Sequence, residues 1–201
     1  MRAGTTADDL AYRRQALAPG RWRFLHQCHG DGVVVLGPDE SCEGRDGDAL
    51  VTKMPGDPIA VFCADCAVIG LASPEGVVGA VHAGWRGLHA GVIEAAIGAM
   101  GACGATEISA VIGASIGPEC YEFGTGDLAL IESRYGPSVV SRSSSGNPAL
   151  DLRAGVHRAL EAGEVKVVSE CVSCTACEPG WFSWRARSDT GRQALVVASV
   201  I

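Results

Sequence analysis

Apolar positions along the chain fall in short runs of strand length separated by Gly, Pro and Asp, and only a few stretches carry helical spacing. Strands are predicted over 22–25, 33–36, 59–62, 67–72, 77–82, 107–112, 165–169 and 194–200. Val92, Ala96 and Met100 recur on one helical stripe with Ile93 and Ile97 beside them. That pattern predicts a buried helix over 88–100, entered from a strand through a Gly-rich turn. Shorter helices are predicted around 9–17, over 127–135, and over 151–162 with Asp151 as N-cap. Residues 141–148 (SRSSSGNP) are of low complexity and predict a mobile surface loop. The strands outnumber the helices and do not alternate strictly with them, which favours an α+β fold of mixed layers over a doubly wound parallel sheet. A single domain spanning 1–201 is expected.

Composition narrows the classes of partner. The 201 residues are 47% hydrophobic and 19% charged, with 16 Lys and Arg against 23 Asp and Glu for a net charge of −7. Such a chain is too apolar for disorder and large enough for one substantial core. With no cluster of Lys or Arg, it lacks the electrostatic footprint of a nucleic-acid or anionic-membrane binder, and neither partner is expected. The longest apolar runs, 58–63 and 194–201, fall short of the roughly 20 residues that span a bilayer, and no apolar signal core opens the chain. A cytoplasmic location is therefore expected. Nine cysteines, an odd count, predict reduced thiols of which a few do chemistry.

Candidate chemistry begins with His26-Gln27-Cys28-His29-Gly30 at a strand-to-turn junction, where His29 reads either as a capped surface imidazole or as a ligand. Cys63-Ala64-Asp65-Cys66 lies between two apolar runs, and its C-x-x-C spacing has no second pair at knuckle distance. The plainer reading is small thiols in a buried strand, but a carboxylate there needs a partner, which draws weight to Cys66. His82-Ala83-Gly84-Trp85-Arg86-Gly87 joins an apolar strand to an apolar helix. Its glycines, helix N-terminus and Arg86 together suit an anion, phosphate foremost; the alternative is a tight turn with Trp85 on the core and Arg86 in solvent. Should His29, Cys66 and His82 converge, they offer one thiolate and two imidazoles, a three-ligand zinc set with an open fourth position.

Three further segments stand out. Cys171, Cys174 and Cys177 form C-x-x-C-x-x-C, like the opening of a bacterial ferredoxin motif, but Glu178-Pro179 follows where a fourth cysteine is required, so no iron–sulfur cluster is expected. The turn holding Gly113, Ser115, Gly117 and Pro118 can line a pocket or be a plain loop. Phe182-Ser183-Trp184-Arg185 and Thr190-Gly191-Arg192 supply aromatics and cations that stack on a planar base or cover a sheet edge.

In chain order, Gln27-x-His29-Gly30, Asp48-Ala49-Leu50-Val51-Thr52, Ala64-Asp65-Cys66, His82-Ala83-Gly84-Trp85-Arg86-Gly87, Ile116-Gly117-Pro118, Tyr121-Glu122-x-Gly124, Asp151-Leu152, Cys174-Thr175 and Thr190-Gly191-Arg192 resemble the YfiH family of laccase-domain proteins. Members of that family have been called polyphenol oxidase (laccase), purine nucleoside phosphorylase and peptidoglycan editing factor. The resemblance runs from about Gln27 to the C-terminus. It implies a layered αββα sandwich of mixed sheets related to bacterial toxin deamidases, and a zinc site on His29, Cys66 and His82. It also implies phosphorolysis of adenosine, inosine and methylthioadenosine to base and sugar 1-phosphate, with hydrolytic deamination of adenosine as a second reaction. The chain departs from the family in a short N-terminal part, in Tyr12-Arg13 where Asn-Arg is usual, in Cys28 where Val is usual, and in Trp184 where Tyr or His is usual.

The expected catalytic residues are Cys66, Asp65 and Arg86, with Arg86 holding phosphate and Asp65 carrying a proton or orienting a ligand. Gln27, Arg13, Ser115 and Arg185 are expected to touch substrate. Copper fits the same three ligands, since it binds them more tightly than zinc. A multicopper oxidase, however, needs many imidazoles, commonly as His-x-His pairs, and the five histidines contain no such pair. A second alternative makes Cys66 the nucleophile of a hydrolase acting on cell-wall precursors. The expected partners are a purine nucleoside and phosphate, with the protein a monomer.

Overall fold

The structure is a computed structural model and describes residues 6–38, 40–56 and 58–199. Six strands form a central sheet, in spatial order β1 (Val33–Leu36), β2 (Ala49–Thr52), β5 (Val78–Ala83), β4 (Ala67–Ala72), β6 (Ser109–Ile112) and β9 (Lys166–Glu170). The outer pairs β1–β2 and β6–β9 are parallel and the inner ladders antiparallel, so the sheet is mixed. A second ladder pairs β3 (Ile59–Cys63) antiparallel with β10 (Gln193–Val197). The helices are α1 (Ala7–Leu17), α2 (Trp85–Ala90), α3 (Val92–Ala102), α4 (Thr125–Tyr135), α5 (Leu152–Ala162) and α6 (Trp184–Arg187).

Side-chain alternation along the strands sorts the core onto two faces. Ala49, Val51, Ile69, Leu71, Val81 and Ala83 join one cluster with Leu88, Ile93, Met100, Val156 and Leu160 of the helices. Leu50, Val68, Val78 and Ala80 join a second cluster with Ile59, Val61 and Cys63 of β3. With both faces covered, β2 and β5 are buried along their whole length. The result is the α+β layering of mixed sheets that the sequence implies. No helix of the described residues is long and apolar enough to cross a membrane.

Several elements differ from the sequence expectation. Residues 22–25 form no ladder; Arg23 makes an isolated bridge to Ile59, and the segment only flanks β3. The helix expected over 88–100 is two helices, because Gly91 takes φ 101° and ends α2 after six residues. β2 was not among the expected strands. The expected loop 141–148 is a short hairpin of β7 (Val140–Arg142) and β8 (Pro148–Leu150), and its turn is held by Glu122, which accepts from Ser143 Oγ at 2.9 Å and Asn147 Nδ2 at 3.0 Å. The terminal strand ends at Val197, and Val200 lies outside the described residues. The helix at 151–162 forms as expected, with Asp151 Oδ1 accepting from Ala154 N at 2.9 Å.

The register decides where chemistry can gather. Antiparallel β2–β5–β4–β6 with parallel edges β1 and β9 puts the starts of β1, β2 and β4 and the ends of β5, β6 and β9 at one end of the sheet. His29, Asp48, Asp65, Cys66, His82, Ser115 and Cys174 all lie at or just beyond that end.

Candidate metal centre and active site

His29 lies in the turn before β1, Cys66 directly before β4 and His82 near the end of β5, and their donor atoms lie within 4.8 Å of one another. The two imidazole rings meet edge to face, 4.9 Å between centroids, with Cys66 Sγ beside both. Burial raises the Cys66 thiol, but the hydrogen bonds from His29 and His82 outweigh it and hold the group at about 7.

Asp48 organises this cluster. The β2–β5 register continues past Ala49–Val81 to set Asp48 opposite His82, and Asp48 Oδ1 accepts from His82 Nδ1 at 2.8 Å with the carboxylate fully buried. A carboxylate only accepts, so Nδ1 carries a proton and Nε2 is the ring atom left to face Cys66 or a metal ion. The same carboxylate accepts the backbone N–H groups of Cys28 (3.2 Å), His29 (3.0 Å) and Gly30 (2.8 Å), which fixes the turn where His29 takes φ 61°. Burial works to raise Asp48, but His82 and the Gly30 N–H hold it at about 2. Burial likewise opposes charge on His82, yet Asp48 and Cys66 raise it to about 9. One thiolate and two imidazoles, one of them braced by a carboxylate, fit a zinc or copper ion.

The glycines of the His82–Gly87 string serve close approach. A Cβ on Gly84 would stand 2.9 Å from His29 Cδ2 and 3.1 Å from Cys66 Sγ, and one on Gly87 would stand 2.8 Å from the Gly30 carbonyl oxygen. Trp85 meets Phe123 edge to face at 5.3 Å, and Phe123 meets Tyr121 at 5.3 Å. Arg86 stacks 4.5 Å over Trp85, and Arg185 stacks 5.0 Å over Tyr121. Burial raises the Tyr121 phenol, and the chain of contacts Arg86–Trp85–Phe123–Tyr121–Arg185 forms one wall.

Other expected site residues are placed differently. Asp65, at φ 92°, turns its carboxylate away from the imidazoles: Oδ1 accepts from Thr175 Oγ1 and Oδ2 from Arg185 N, each at 2.7 Å. The orienting place beside a ligand belongs to Asp48 instead. Gln27 spends its amide on the main chain of Phe62, donating to its carbonyl and accepting from its N–H, both at 2.8 Å. Ser115 is 1% exposed, and its Oγ has no hydrogen-bond partner among the described residues. Arg13 lies on α1, which buries no residue, and its described interaction is with Asp9. A cavity of about 660 Å³ lies beside α1 among Arg14, Trp22, Phe24 and Cys42, and none of the trio lines it. It is the gap beside a helix with no apolar face to bury.

Residues 6–199 match the family described as multi-copper polyphenol oxidoreductase laccase. The chain belongs to this family. It is 40% identical over 191 residues to the purine nucleoside phosphorylase ORF3 of Streptomyces griseus, covering 92% of this chain and 77% of that protein. It is 33% identical over 199 residues to the adenosine deaminase RL5 of an unknown prokaryotic organism, covering 92% and 72%. The crystal structure of the hypothetical protein YfiH of Bacillus licheniformis has the same fold, with TM-score 0.85 at 22% identity over 99% of this chain and 84% of that one. These matches agree with the YfiH motifs. Multicopper chemistry finds no matching imidazole cluster among the described residues: His26 pairs with Asp46, His157 pairs with Glu170, and only His29 and His82 converge.

Proposed function

We propose that the chain is a zinc-dependent purine nucleoside phosphorylase acting on adenosine, inosine and methylthioadenosine, with deamination of adenosine as a second reaction. The convergence of His29, Cys66 and His82, with Asp48 behind His82, carries this assignment. Relatives named purine nucleoside phosphorylase and adenosine deaminase support it.

His29, Cys66 and His82 would hold zinc, and copper suits the same donors. Zinc bound there would lower the pKa of a water to about 7 and so supply the nucleophile that deamination needs. The exposed guanidinium groups of Arg86 and Arg185 offer charge-assisted hydrogen bonds to phosphate, and Trp85, Tyr121 and Phe123 offer ring faces and edges to a purine. In phosphorolysis a phosphate oxygen bonds to the ribose anomeric carbon while the bond to the purine nitrogen breaks, its electron pair leaving with the base. Positive charge builds on the sugar, so the protein contributes positioning and electrostatics rather than a covalent group. Asp65 acts through others, holding Thr175 and the start of α6 beside Cys66.

A second reading rests on the Cys66 thiol, held at about 7 by two imidazoles. Without metal that thiol is a ready nucleophile for a hydrolase acting on cell-wall precursors. Chromatography of adenosine incubations, with and without phosphate and with and without prior chelation, separates the two. Adenine formed only with phosphate and lost on chelation supports phosphorolysis, and inosine formed without phosphate and lost on chelation supports deamination. Turnover that survives chelation but not alkylation of Cys66 replaces the zinc scheme with the thiol one. No turnover under any condition overturns both nucleoside reactions.

A further inference from the structure

A second group of metal donors lies outside the trio. Glu119 and Cys120 come from the turn that follows Gly117, and Cys174 and Cys177 come from the segment after β9. One donor atom from each lies within 4.8 Å of all the others. We propose that Glu119, Cys120, Cys174 and Cys177 form a second metal site, taking a thiophilic divalent ion with zinc foremost and holding the turn 117–121 against the segment 171–183.

The dimensions suit a tetrahedron. Zinc–sulfur bonds of ~2.3 Å place sulfurs ~3.8 Å apart, whereas a disulfide requires ~2.05 Å. Cys120 and Cys177 Sγ stand 3.3 Å apart, so a small opening admits an ion, and Cys177 Sγ lies 3.5 Å from Glu119 Oε1. Three sulfurs and one carboxylate oxygen complete four ligands. The set excludes Cys171, so the C-x-x-C-x-x-C string does not act as a local knuckle: two of its thiols join Glu119 and Cys120 from a distant turn, with Cys120 and Cys177 57 residues apart.

The local backbone is shaped around these donors. Gly117 N–H donates to Cys174 Sγ at 3.1 Å, which fixes the direction of that sulfur. A Cβ on Gly117 would collide with the Glu119 carboxylate, although its φ of −84° suits any residue; here the missing side chain makes room for a ligand. Cys174 is buried and anchors the site, while exposed Cys177 leaves an entry path. Otherwise the two segments are joined through an isolated bridge between Ser115 and Cys174 with Thr175 N donating to Ser115 O. Thr175 in turn holds Asp65, next to Cys66, so an ion here would brace the rim of the first site without touching it.

The proposal does not depend on the nucleoside assignment, and metal stoichiometry tests it directly. Full-length protein purified under reducing conditions and stripped of metal is titrated with Co²⁺, then with Zn²⁺. Wild type is expected to bind two equivalents. With His29→Ala and His82→Ala combined, one equivalent should remain, with the intense sulfur-to-cobalt charge-transfer absorption of several thiolates. With Cys120→Ser and Cys177→Ser combined, one equivalent should also remain, with the weaker absorption of Cys66 alone. Exposed Cys177→Ser by itself, which leaves the core intact, should lose the second equivalent. A single equivalent in wild type that Cys177→Ser leaves unchanged would overturn the proposal. So would mass spectrometry that finds Cys120 and Cys177 joined as a disulfide under the same reducing conditions.

Discussion

Asp48 Oδ1 and His82 Nδ1 stand 2.8 Å apart with both side chains buried, and that contact links the turn carrying His29 to the strand carrying His82. Asp48→Asn preserves shape but turns an NH₂ group toward backbone N–H donors that now meet a carboxylate oxygen. The variant is expected to lose about 10–100-fold in zinc affinity and about 3 kcal/mol in stability. Competition against a chromogenic chelator, with urea unfolding alongside, measures both. Zinc affinity within about twofold of wild type would show that Asp48 serves the fold alone.

The same carboxylate sets an acid limb. Its folded value of about 2 lies below the ordinary 3.8, so the folded state binds protons less readily than the unfolded chain. Its stabilisation, about 2 kcal/mol, is fully present above pH 3.8 and is lost as pH falls through 2. Denaturant unfolding of metal-free protein between pH 2 and 5 should show this limb in wild type and lack it in Asp48→Asn.

How much of the site was legible in the sequence follows from how local each contact is. His29, Cys66 and His82 each sit at a strand end beside a small residue, a cue that needs no partner. Asp48 needs the β2–β5 register across 34 positions, although a carboxylate directly before the apolar run Ala49–Thr52 was the same cue that singled out Asp65. Gln27 looked free for substrate, and only the approach of Phe62 shows its amide to be spent. The break at Gly91 is invisible to periodicity, since a glycine inside a helical pattern costs only about 1 kcal/mol. The α+β layering was legible because the apolar runs of strand length outnumber the helical stretches and do not alternate strictly with them.

Gly84 tests close packing against the trio. Its φ of −70° accepts alanine, so any effect of Gly84→Ala comes from the added methyl group, which would stand 2.9 Å from His29 Cδ2 and 3.1 Å from Cys66 Sγ. The expected outcome is a loss of about tenfold or more in zinc affinity with an overpacking cost of about 1–3 kcal/mol. Metal titration and thermal unfolding read the two effects separately, and unchanged affinity would mean that His29 is not a ligand.

Cys66 distinguishes ligand from nucleophile by its reactivity. In metal-free protein, alkylation by iodoacetamide should rise with pH through about 7, because the His29 and His82 hydrogen bonds outweigh the effect of burial. Zinc should suppress that alkylation, and Cys66→Ala should abolish metal binding at the trio together with both nucleoside reactions. Full activity in Cys66→Ala would remove the metal-centred scheme.

Arg86 separates the two reactions from each other. Its guanidinium lies over Trp85 at the rim, where it can reach an anion but touches none of the three ligands. Phosphorolysis needs phosphate held in line with the anomeric carbon, whereas deamination needs only the base and water. Arg86→Ala should therefore cost about 10–100-fold in kcat/KM for phosphorolysis, chiefly through a raised KM for phosphate. Release of inosine from adenosine should change by less than about threefold. Equal loss in both reactions would mean that Arg86 supports the shared wall through Trp85, and Arg185, stacked over Tyr121, would then be the cation left to hold phosphate.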